Sequence, residues 1–211
     1  MIHHMLRASL PVAVALVVAI GVPRDARAGQ PTDQLKSHVD RIVQMLQDPA
    51  LKSEGRSAER RDAVRKVAMD IFDFEETSKR ALGPHWRERT PAEREEFVRL
   101  FTDLLEHSYL SKIESYQGEK ISYLGETVQD DTATVKTRIV TPKRTEIPVD
   151  YRMGRKDNRW LVYDVIIEGI SLVGNYRTQF NKVIQTQSYQ ALVEKLRAKA
   201  FTAPEAGQRR T

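Results

Sequence analysis

The 211-residue chain contains no cysteine. That excludes a structural disulfide, even in a compartment that would permit one. It also excludes a lipid-modified cysteine as a membrane tether. Long hydrophobic runs are missing as well. The most apolar stretch, residues 10–22, falls short of the ~20 residues a spanning helix needs. Charge of one sign is in only mild excess, +5 net, which is a solvated surface and no argument for nucleic acid. The chain has no G-x-S-x-G elbow, no phosphate-binding P-loop and no H-E-x-x-H pair. His38, His85 and His107 are far apart without ligand spacing, so no metal and no cofactor is expected.

What is present begins with `MIHHMLRASLPVAVALVVAIGVPRDARAGQ`. A weakly basic start at Arg7, a short apolar run and the small-x-small site Ala26-Arg27-Ala28 form the pattern of a secretory signal peptide, residues 1–28. An uncleaved anchor is the alternative. Removing three arginines and one aspartate with that segment takes the net charge from +5 to +3. An exported, cysteine-free chain points to the periplasm of a Gram-negative bacterium, with secretion to the medium as the alternative. Residues 29–201 then form a single domain and 202–211 a flexible tail.

Helical spacing comes first. Leu35, Val39, Ile42, Val43 and Leu46 share one face, and Asp48-Pro49 stops the helix. Val64, Val67, Ala68 and Ile71 form a second stripe. Asp73 can cap the next short helix with Glu76 as its box partner, and Gly83-Pro84 ends it. The acidic group Asp70, Asp73, Glu75 and Glu76 suits capping of that helix start better than a metal. The strongest start is `TPAE`, with Thr90 as cap, Pro91 at the first helical position and Glu93 closing the box. The helix expected from Pro91 to about Tyr116 is apolar over more than half its circumference, so it touches apolar neighbours on two sides.

After about residue 117 the period changes to two. `EKISYLGETV`, `TATVKTRIV`, `EIPVDYRM` and `WLVYDVII`, joined by short turns at Asp130-Asp131 and Asp157-Asn158, read as an antiparallel meander over about 119–168. Pro148 removes a ladder donor, which moves its strand towards a sheet edge or a bulge. Strict alternation sets Trp160, Val162 and Ile166 against Leu161, Tyr163, Val165 and Ile167. Gly169 supplies a backbone angle other residues resist, and Glu168 either caps the turn or meets a head group. Helices return over about 171–200, the last capped by Ser188. The fold class is therefore α+β: helices packed on a four-stranded antiparallel meander sheet enclosing a hydrophobic pocket.

The apolar excess in the long helix and in the fourth strand has two readings, an ordinary core or an apolar cavity. Asp164, mid-strand in that excess, is either a structural acid bonded to its neighbours or a general base acting on a small hydrophobic substrate. A plain interaction module is a third possibility.

The run `GPHWRERTPAEREEFVRLFTDLLEHSYLSKIESYQGE`, followed by `EIPVDYRM` and `WLVYDVIIEGISLVGNYRTQF`, resembles the MlaC family of periplasmic phospholipid-binding proteins, also known as toluene-tolerance proteins. The resemblance extends from about Thr32 to Lys199. Its most specific part runs from Trp160 through Tyr163-Asp164 to Glu168-Gly169-Ile170-Ser171, helped by T-P-x-E-R-x-x-F and Tyr116-x-Gly118. It implies a monomeric carrier that is not an enzyme and that maintains outer-membrane lipid asymmetry. Such a carrier exchanges phospholipid with an outer-membrane lipoprotein complex and with an inner-membrane ABC transporter bearing a ring of MCE-domain subunits. Acyl chains enter a deep apolar pocket while the head group stays near the surface. The lining expected between sheet and helices is Phe97, Phe101 and Leu104 from the long helix. Tyr123, Val135, Ile139, Val149, Tyr151, Val162, Val165 and Ile167 come from the strands, and Leu172, Val173 and Tyr176 close one end.

Overall fold

The computed structural model describes residues 30–52, 55–201 and 203. The signal segment expected over 1–28 and nearly all of the expected tail lie outside the described residues.

Helix α1 (Gln30–Gln47) is followed by the one-turn α2 (Pro49–Lys52), α3 (Ser57–Ile71) and α4 (Phe74–Leu82). Asp73 caps α4 by accepting the Glu76 N–H at 3.0 Å. The box stays half-made, because Glu76 turns outward to Arg80 and Lys79. A 3-10 turn at Gly83–Trp86 leads to the long helix α5 (Pro91–Glu114). There the box is complete: the Thr90 N–H donates to Glu93 Oε2 at 2.8 Å and the Glu93 N–H to Thr90 Oγ1 at 3.3 Å. The two apolar sides of α5 belong to its two halves. Phe97, Leu100, Phe101 and Leu104 enter an all-helical core, whereas Leu110 and Ile113 meet Leu46 of α1 and Val64 of α3.

Strands β1 (Lys120–Gln129), β2 (Thr132–Val140), β3 (Glu146–Lys156) and β4 (Arg159–Ile167) form the expected meander. A fifth strand, β5 (Ile170–Ser171), pairs with the end of β4. Two residues are too few to show alternation, which is why pattern reading passes over it. Glu168 and Gly169 turn the hairpin with φ of +51° and +83°, the mirror-image turn that suits strand twist. Helices α6 (Leu172–Thr186) and α7 (Tyr189–Arg197) follow, capped by Ser171 and Ser188.

Two sequence expectations need correction. Pro148 does not lie on an edge or in a bulge, since β3 is central, between β2 and β4. Its carbonyl accepts the Glu168 N–H at 3.0 Å, beyond the last β3–β4 pair at Val149–Ile167. The missing proline donor therefore lies just past the paired part of the β3–β4 ladder. Strict alternation in β4 also fails. Arg152 pairs with Asp164 and Met153 with Val162, leaving Tyr163 as an extra residue. Past this bulge the phase flips, so Trp160 and Val162 share a face with Val165 and Ile167. Leu161, Asp164 and Ile166 occupy the other.

Candidate functional site

Residues paired directly across an antiparallel sheet share a face, so the register lays out the inner surface in rows. The first is Val128, Ala133, Met153 and Val162. The second is Glu126, Val135, Tyr151 and Val165. Tyr123, Thr137, Val149 and Ile167 form the third, and Ile121, Ile139 and Ile147 the fourth. Helices α1 and α3 cover the first two rows with Leu35, Val39 and Ile71. The last two rows differ. Ile121, Ile139, Ile147 and Ile167 are only half-buried, and none of them belongs to any of the three packed clusters. These four isoleucines of intermediate exposure share one face of the sheet and surround Thr137 and Val149, which are buried.

The fourteen expected lining residues divide in three. Phe97, Phe101, Leu104, Val173 and Tyr176 are buried together in the helical core. Phe101 meets Tyr176 and Phe180 edge-on at 5.2 and 5.1 Å, and Phe97 meets Phe180 edge-on at 5.7 Å. Tyr123, Val135, Tyr151, Val162 and Val165 belong to the sheet cluster. Ile139, Val149 and Ile167 lie on the last two rows, and Leu172 is half-buried at the start of α6. Sequence reading passed over Ile121 and Ile147, although their alternation was visible. Their pairing across Ile139 needed the register.

Among the described residues, clefts of about 600 and 310 Å³ open on the surface. Arg61, Arg65, Asp103, Glu106, His107 and Lys199 line the larger, and the smaller is ringed by charged groups from Asp73 to Lys156. Neither includes an expected lining residue. Wet, ion-paired walls of this kind cannot hide methylene groups.

Asp164 is buried on the outer face and its oxygens are taken up. Ser171 Oγ donates to Oδ2 at 2.7 Å and the Val173 N–H to Oδ1 at 3.1 Å, with Arg152 Nη1 at 3.4 Å from Oδ2. Ser171 in turn accepts the Gly174 N–H at 2.8 Å. The aspartate thus ties the start of α6 to the middle of β4, with its negative charge at the helix N-terminus.

Burial raises the pKa of Tyr109, Tyr123 and Tyr176 above the ordinary phenol value, and pushes Tyr151 up to about 12. At neutral pH their hydroxyls are donors. Among the described residues no group of three metal-ligating side chains comes together. His38 faces Asp70 at 3.7 Å, and His85 bonds Asn181 at 3.0 Å.

Residues 36–198 match the model of the MlaC protein family. The chain belongs to the MlaC family. A curated relative from Haemophilus influenzae, "Intermembrane phospholipid transport system binding protein MlaC", is 23% identical over 145 residues, covering 66% of this chain and 68% of its own. A solved phospholipid-binding protein from Ralstonia solanacearum, in complex with a phospholipid, superposes with a TM-score of 0.72 at 24% identity. That alignment covers 82% of this chain and 96% of the other. The fold is therefore that of the MlaC family.

Proposed function

We propose that this chain is a soluble phospholipid carrier of the periplasm. It shields acyl chains against the last two rows of the sheet. The observation that carries this reading is the half-buried isoleucine surface in a chain of the MlaC family. Exposing a chain of ~16 carbons to water costs on the order of 12 kcal/mol, at about 0.8 kcal/mol per methylene. A shuttle must hide nearly all of it. Ile139, Val149 and Ile167, with Ile121 and Ile147, are the lipid-facing set. Tyr123, Tyr151 and Leu172 stand at its margin. The aromatic core of Phe97, Phe101 and Tyr176 backs the site rather than forming its inner wall.

The exchange partners are an outer-membrane lipoprotein complex and an inner-membrane ABC transporter with an MCE-domain ring, and the outcome is lipid asymmetry of the outer membrane. This carries over what the family resemblance implies. The alternative, an enzyme with Asp164 as base, loses its support because both carboxylate oxygens already accept hydrogen bonds inside the fold. Solvent extraction and mass spectrometry of protein purified without detergent should find phospholipid in a fixed ratio to protein. Folded protein devoid of lipid would sink the carrier reading.

A further inference from the structure

The side chain of His38 in α1 is 17% exposed, and its Nδ1 is closed off from solvent without a hydrogen bond. It stands in a cluster that joins three elements. Gln34, His38 and Arg41 recur at helical spacing, so they share one stripe of α1. Gln34 Oε1 accepts the Trp160 N–H at 2.8 Å, which sets that stripe against the start of β4. Asp70, at the end of α3, is the acid of the cluster. Arg159 Nη2 of β4 donates to Asp70 Oδ1 at 2.9 Å and to its carbonyl at 2.6 Å, and Arg41 Nη1 stands 3.8 Å from Oδ2. One carboxylate thus already serves two guanidinium groups. His38 Nδ1 lies 3.7 Å from the same Oδ2, beyond hydrogen-bond distance. The charged groups that face His38 are these three: Arg41 from its own helix, Asp70 from α3 and Arg159 from β4.

We propose that His38 is an acid-sensitive latch on α1, which holds the helix down while neutral and loosens it from α3 and β4 when protonated. A proton on the imidazole brings a third cation to a carboxylate that already has two. Burial lowers the pKa of His38, Asp70 opposes that effect, and Arg41 and Arg159 reinforce it. With α1 lifted, the ring is in water and takes its proton near pH ~6.5. Packed, it takes the proton only at lower pH. The closed arrangement therefore has its full stability above about pH 6.5 and loses part of it as pH falls towards the packed value. What the latch controls is a cover of the sheet. Leu35 and Val39 of α1 pack on the cluster of Ala133, Val135, Met153 and Val162, so lifting this part of α1 uncovers the first two rows. Leu46, packed on Val64 and Leu110, keeps the other end of the helix in place. The latch is a property of the lipid-free chain and does not depend on the carrier reading.

The test is hydrogen exchange of delipidated protein between about pH 7.5 and 5.5, a range in which exposed carboxylates stay ionised. Protection factors remove the pH dependence of the exchange chemistry itself. Amides of α1 from Leu35 to Val43 should lose protection as pH falls, by up to about tenfold per pH unit, the limit for one proton. Those from Phe97 to Leu104 in α5 should hold constant. The α1 midpoint should coincide with the titration of the His38 ring in proton NMR, below pH ~6.5. His38→Gln is uncharged throughout the range and should keep α1 protection level, while His85→Gln should respond as the unaltered chain does. Constant α1 protection in the unaltered chain would overturn the proposal, since the protonated ring then only turns out to water. So would an equal response in His38→Gln, or a His38 ring that titrates at or above pH ~6.5. Where His38→Gln does not fold, the comparison of ring titration with α1 opening in the unaltered chain decides, and a mismatch of the two midpoints sinks the latch.

Discussion

Val135 and Ile139 lie on the same strand and the same face, four residues apart, yet the structure gives them different work. Val135 is wholly buried in the second row between Glu126 and Tyr151. Ile139 is half-buried in the fourth row between Ile121 and Ile147. Replacing each by asparagine separates core from lipid surface. At Val135 the change forfeits about 1.5–2 kcal/mol of burial and adds about 1–3 kcal/mol for an amide without partners. The sum, about 4 kcal/mol, should lower Tm by roughly 8–16 °C for a domain of this size. At Ile139 the amide can keep its water in lipid-free protein, so the loss should stay near 1 kcal/mol, or roughly 3 °C. Lipid tells the opposite story. An acyl chain laid against Ile139→Asn loses about two methylene-sized contacts, ~1.6 kcal/mol, which weakens binding roughly fifteenfold. Thermal melting of delipidated protein reads the first effect and lipid-to-protein ratio after vesicle exchange reads the second. If Ile139→Asn melts as early as Val135→Asn, or keeps its full lipid load, the last two rows are not a lipid surface.

Asp164→Asn should lower stability by about 2–4 kcal/mol in denaturant melts, since the charge on a buried acceptor of the Val173 N–H and the Ser171 hydroxyl is lost; an unchanged midpoint would remove its anchoring role. Thr90→Ala should cost about 1 kcal/mol by breaking the α5 box, with Tm as the readout. Gly169→Ala should cost about 1–2 kcal/mol through its positive φ alone, as the space around it is open. Burial raises five of the seven tyrosines, Tyr151 and Tyr189 to about 12. The folded chain then holds protons that the unfolded chain releases near pH ~10. The stability these phenols contribute is intact below that pH and is lost as pH rises towards 12. Phenolate absorbance from the five should therefore appear together with unfolding, and a gradual rise in fully folded protein would contradict their burial.

Much of the fold was legible because its signals are local. The Thr90–Glu93 box, the Asp73 and Ser188 caps and the turn residues at 157–158 act within a few residues of themselves. The site was legible only in part. Ile139, Val149 and Ile167 could be chosen from alternation, but nothing in a single strand tells a core position such as Val135 from a half-buried one such as Ile139. That distinction depends on where α1 and α3 stop across the sheet, a matter of tertiary geometry. Phe97 and Phe101 were drawn to the site by their apolar character, and they pack edge-on into Phe180 and Tyr176 instead. The Pro148 expectation failed for a similar reason: the cost of a missing donor depends on whether the neighbouring strand reaches that far, and β4 does not.

The bulge at Tyr163 has a consequence for comparing chain lengths. With that residue removed on paper, the strand alternates without fault: Trp160, Val162, Val165 and Ile167 inward, Leu161, Asp164 and Ile166 outward. A relative one residue shorter here would keep every inward position, and the gap in its alignment would mark no change in the inner surface. What it would lose is on the other side. The surplus residue leaves the Tyr163 carbonyl free to accept the Thr77 hydroxyl at 3.0 Å, and its ring lies 4.0 Å beneath the Arg80 guanidinium. One uncounted residue in the ladder is therefore the peg on which helix α4 hangs.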